Sequence, residues 1–102
     1  MIRLIILILF VLIPFSSNAE YVVFTYDCGK ILKSERNNNR VQQDLIKSWL
    51  QGYMTARNYE NNSKKGDGVN LDSIFYALIK YCRENPLKNS NDAALYIYDY
   101  EL

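Results

Sequence analysis

Apolar residues follow two regimes along this chain, one unbroken block at the start and then stripes at helical spacing. Leu4 to Phe15 is almost wholly apolar, preceded by Arg3 and followed by Ser16-Ser17-Asn18-Ala19. One positive charge, an apolar run of about a dozen residues, and small residues at positions −3 and −1 of a break after Ala19 make the pattern of a secretory signal peptide. The run is shorter than the about 20 residues that cross a bilayer comfortably. Residues 1–19 are therefore expected to be a cleaved signal peptide and residues 20–102 a mature domain outside the cytosol, with no stable membrane insertion after cleavage.

In the mature segment, Tyr21 to Tyr26 is β-branched and aromatic, and no second run of this kind is present to pair with it. It reads as an extended leader packed on helices. Asp27 is placed to cap a short helix whose residues Cys28, Ile31 and Leu32 share one face, with Lys33-Ser34-Glu35-Arg36 as its solvated end. Asn37-Asn38-Asn39 breaks the chain, because asparagine competes for backbone hydrogen bonds and favours turns. From Arg40 to about Asn58 the pattern predicts the longest helix, with Val41, Leu45, Trp49 and Tyr53 every fourth residue and Ile46, Leu50 and Met54 widening the stripe. Gly52 sits inside it at a cost of about 1 kcal/mol relative to alanine, which predicts the close approach of another backbone.

Tyr59 to Asn70 is polar and contains two glycines, and reads as a loop. Its Asn61-Asn62-Ser63 matches the N-glycosylation pattern, too common a triplet to carry weight. Asn70 or Leu71 opens the next helix, with Leu71, Phe75, Leu78, Ile79 and Cys82 on its apolar face, and Asn85-Pro86 ends it. A last helix, capped by Asn89 or Ser90 and running from Asp92 to the C-terminus, offers Ala93, Ala94, Ile97, Tyr98 and Leu102 as its buried side. The expected fold is a small all-α domain of four helices stapled by one disulfide.

The cysteines supply that staple. Cys28 and Cys82 are the only two, and in an oxidising compartment an even pair reads as a disulfide. A closed loop of about 55 residues is worth roughly 4 kcal/mol by chain entropy, comparable with the whole net stability of so small a domain.

Charge and side-chain inventory remove other classes. Without Arg3 the acidic and basic side chains balance, which leaves no footprint for nucleic acid and no polybasic segment for lipid. Histidine is absent, both thiols are committed, and the carboxylates are scattered, so neither a nucleophile–base pair nor a metal or cofactor site is expected, and the chain reads as a non-enzyme. The eleven asparagines read as compositional bias. Nine tyrosines are the remaining excess. Tyr96, Tyr98 and Tyr100 cannot all face the core, since positions i and i+2 diverge by about 200° on a helix. If the last helix buries Ala94, Tyr98 and Leu102, then Tyr96 and Tyr100, with Tyr21 and Phe24 of the leader, are candidates for partner contact.

The landmarks Tyr26-Asp27-Cys28-Gly29-Lys30-Ile31-Leu32, Ser48-Trp49-Leu50-Gln51-Gly52-Tyr53, Tyr81-Cys82-Arg83-Glu84-Asn85-Pro86 and Asp92-Ala93-Ala94 together resemble small exported bacterial proteins of the HdeA/HdeB type. The resemblance implies a helical periplasmic protein with one disulfide joining Cys28 to Cys82, acting as an acid-stress chaperone that holds unfolded clients, with a homodimer that loosens in acid. The same pattern is similar to immunity proteins that bind and block amidase effectors of the type VI secretion system, although those often carry further cysteines that this chain lacks. A structural role in the envelope is the third reading.

Overall fold

The computed structural model describes residues 24–102, and the expected signal peptide and Tyr21 lie outside them. The described chain is all-α: α1 Cys28–Arg36, α2 Arg40–Asn61, α3 Leu71–Glu84 and α4 Ser90–Tyr96, the last continuing into a π-helical turn, Ile97–Glu101. The Cys28–Cys82 disulfide joins the first residue of α1 to the last turn of α3, with the Cα atoms 5.0 Å apart. Both cysteines are fully buried.

Three of the four α-helices start at an asparagine cap. Asn39, Asn70 and Asn89 accept hydrogen bonds from the amides of Gln42, Asp72 and Asp92 at 3.1, 2.8 and 3.0 Å. Asn62 closes α2 in the left-handed conformation, at φ 49°. The asparagines read as compositional bias thus do specific work at helix ends, where a short amide reaches an orphan N–H and tolerates positive φ. α1 differs, because the Asp27 side chain makes no cap hydrogen bond. There the α3–α4 connection takes the first amide: Cys28 N–H donates to the Lys88 carbonyl, while Ser90 N–H donates to the Tyr26 carbonyl and Tyr26 N–H to the buried Ser90 Oγ. This pins the extended residues to the α3–α4 connection.

The core is formed by Ile31, Ile46, Leu50, Met54, Ile74, Phe75, Leu78, Ile79, Ala93, Ala94, Ile97 and Tyr98 around the disulfide. On α2 it takes the row Ile46, Leu50, Met54, while Val41 and Leu45 are exposed. The every-fourth-residue stripe fails because each such step rotates about 40° on an α-helix, so a row that meets the core at Tyr53 has left it by Val41. Ser34 is a second correction. It is buried rather than solvated, its hydroxyl donating to the Ile31 carbonyl at 2.6 Å. Gly52 is a third: among the described residues a Cβ there would meet nothing within 4 Å, so no described segment approaches it closely. α2 also runs one turn further than expected, to Asn61. α4 starts at Ser90, and the expected α-helix beyond Tyr96 widens into the π-turn, where Leu102 N–H donates to the Ile97 carbonyl at 3.0 Å.

Candidate functional site

The final segment places its tyrosines on two sides. Ala94, Ile97 and Tyr98 are buried, which turns Tyr96 and Tyr100 outward, 44% and 77% exposed. Four residues apart on one face, their rings lie 5.0 Å from each other, and Tyr96 rests against Tyr81 of α3 at 5.5 Å. The result is a ladder of three tyrosines from α3 to the end of the chain. Sequence reasoning missed Tyr81, which lies about 100° around α3 from Cys82, at the flank of the core face, and is half-buried against the core. A cleft of about 300 Å³ beside it is lined by Tyr81, Tyr96, Lys80, Glu84 and Glu101.

The leader forms a separate aromatic group. Phe24 is 57% exposed and meets Tyr26 edge to face at 4.9 Å, while its carbonyl accepts from Trp49 Nε1 at 2.9 Å. Trp49 in turn stacks on Tyr53 at 5.4 Å. No ring contact among the described residues joins Phe24 to Tyr96 or Tyr100, so the structure groups the two C-terminal tyrosines and leaves Phe24 with α2.

Tyr98 between them is a structural hub. Its hydroxyl donates to Asn58 Oδ1 at 2.9 Å, its carbonyl accepts from Lys65 Nζ at 3.1 Å, and the charges of Lys65 and Arg57 lie over its ring. The side chains of Asn61 and Ser63, helped by the Lys65 and Arg57 charges, hold its phenol below the ordinary tyrosine value. Burial pushes Tyr53 and Tyr81 the other way, with Asp99 adding to the first and Asp92 to the second. The polar contacts of Tyr98 fasten the 62–70 loop to the C-terminus, and Leu102 packs within 3.3 Å of where a Gly66 Cβ would sit.

A larger cleft of about 570 Å³ lies between α2, that loop and the start of α3, with Met54, Asn58, Lys65, Asp67 and Ile74 among its walls. It is open and mixed in character, and of its two lysines Lys65 is already engaged with Tyr98. Among the described residues no group of three or more cysteines or carboxylates is placed to hold a metal ion. The described carboxylates all lie at the surface or half-buried, and the ion pairs Lys47–Asp72 and Arg83–Glu35 are solvent-accessible.

Comparison of the chain with protein-family models, with curated proteins and with solved structures finds no match.

Proposed function

We propose that the chain is an exported, periplasmic, non-enzymatic protein of HdeA/HdeB-like type that acts by binding another protein, and that the bound form is a folded effector rather than an acid-unfolded client. The observation that carries this is the Tyr81–Tyr96–Tyr100 ladder, exposed at Tyr96 and Tyr100 and seated by the half-buried Tyr81 on a core stapled by Cys28–Cys82. Tyrosine supplies large contact area with a polar tip at little entropic cost, and a rigid support keeps that cost low on binding.

The placement of the carboxylates supports one kind of partner over the other. An acid-released holdase needs buried or tightly paired carboxylates, so that protonation removes folding free energy. Here each pair has one exposed and one half-buried partner and stays open to solvent, and pairs near the surface are worth about 0 to 1 kcal/mol each. Acid therefore has little to release, which favours an ordered surface working at neutral pH.

The test is a pair of measurements on the Tyr96→Ser, Tyr100→Ser double variant and its parent. The parent should form a stoichiometric neutral-pH complex with a secreted effector encoded beside it, and the double variant should lose that complex without a change in melting temperature. Suppression of aggregation of an unrelated denatured protein at about pH 3, with loss of helical structure in the same range, would overturn the reading in favour of the holdase.

A further inference from the structure

Two aromatic rings elsewhere in the fold are covered by the chain's own cations. Lys47 Nζ lies 5.1 Å from the centre of the Phe75 ring, and Arg57 and Lys65 lie 5.5 and 4.9 Å from that of Tyr98. Among the described residues no cation lies over Tyr81, Tyr96 or Tyr100. The faces of these rings carry the negative end of the aromatic quadrupole, which attracts positive charge. The cleft of about 300 Å³ beside Tyr81 and Tyr96 adds charge of the same sign. Glu84 and Glu101 line it against a single ammonium, Lys80, and none of the three forms an ion pair among the described residues. After burial, the Asp92 carboxylate is what raises the Tyr81 phenol, so the field of a third acid reaches that ring. Lys80, Tyr81 and Glu84 of the cleft also belong to the last turns of α3, where the helix dipole turns its negative end outward.

We infer that this cleft seats an arginine side chain presented by the protein that the tyrosine ladder binds. The inference rests on the ladder being a partner surface and names the group that surface recognises. Ring faces, carboxylates and helix end all favour a cation, and Lys80 is the one local competitor lining the cleft. Shape selects among cations. The Tyr81 and Tyr96 rings stand 5.5 Å apart and inclined by 41°, which makes one aromatic wall rather than an enclosing cage. A flat guanidinium stacks on such a wall while its edge donates N–H groups to carboxylates, a combination that the compact, strongly hydrated lysine ammonium does not match. A quaternary ammonium has no N–H to give. The volume is at the lower limit of small-molecule pockets, which suits one long side chain.

Titration of the exported, disulfide-bonded protein with N-acetyl-arginine amide, its neutral citrulline counterpart and tetramethylammonium, followed by NMR of the tyrosine rings, tests it. The arginine amide should give saturable shifts at Tyr81 and Tyr96, and the citrulline amide none. Glu84→Gln, Glu101→Gln should weaken the arginine amide about fivefold, as loss of two solvent-open charge contacts implies. Lys80→Gln should tighten it, and both changes should leave the melting temperature where it was. No saturation by about 50 mM overturns the inference. So does an equal response to citrulline, a stronger one to tetramethylammonium, or binding that the two glutamine substitutions leave untouched. A neutral-pH protein complex that Tyr96→Ser, Tyr100→Ser abolishes and Glu84→Gln, Glu101→Gln does not weaken overturns the arginine seat and leaves the tyrosine surface standing. A chain that takes the arginine amide in the cleft yet forms no such complex overturns the partner surface and not the cleft's choice of cation.

Discussion

At the scale of single residues, asparagine amides decide where helices begin and end. Asn70→Ala removes the bond to the Asp72 amide and should cost about 1 kcal/mol in denaturant unfolding, the usual worth of an N-cap. Asn62 holds a left-handed conformation that a Cβ-bearing residue enters at a cost of roughly 1 to 2 kcal/mol. Asn62→Ala should therefore destabilise, and Asn62→Gly should leave the unfolding midpoint unchanged or raise it. The tyrosines differ in alkaline titration. Tyr98 is depressed by its polar neighbours, while Tyr53 and Tyr81 are raised by burial, so ring NMR should show Tyr98 ionising before the other two. The contribution of Tyr98 is present above its unfolded value and fades as pH falls through its folded one, whereas those of Tyr53 and Tyr81 hold below the unfolded value and fade as pH rises through theirs.

Among the elements, the disulfide has the largest single effect. It ties α1 to α3 across a sequence separation of 54. The Cys28→Ser, Cys82→Ser double variant should lose about 4 kcal/mol in urea unfolding, with a lower midpoint and a steeper slope because the uncrosslinked unfolded chain exposes more surface. This staple and three of the four helix starts could be read directly from the sequence, because cysteine pairing, asparagine caps and Asn85-Pro86 are local signals. The core face of α2 could not. Its apolar residues run all round the helix, so periodicity alone does not tell the row at Ile46 from the row at Val41. Only packing against α1 and α3 selects between them. Tyr96 and Tyr100 were legible because burying Ala94 and Tyr98 leaves them one direction to point. Tyr81 required knowing that α3 and α4 lie side by side. The π-turn escaped because its widening follows from seating Ile97 and Tyr98 in the core, a demand made by the tertiary structure.

For the molecule as a whole, the exposed carboxylates and the staple together predict a fold that persists in acid. Far-UV circular dichroism should retain its helical signal down to about pH 3, and collapse of that signal above this value would place a pH switch in the domain after all. The central claim is that an ordered tyrosine surface captures a folded protein. Its most direct measurement is quantitative mass spectrometry of proteins retained at neutral pH by the tagged chain and by the Tyr96→Ser, Tyr100→Ser variant, in the cells that produce it. One stoichiometric protein should be held by the parent and lost from the variant. Equal retention by both, or a broad set of clients captured only in acid, would contradict it.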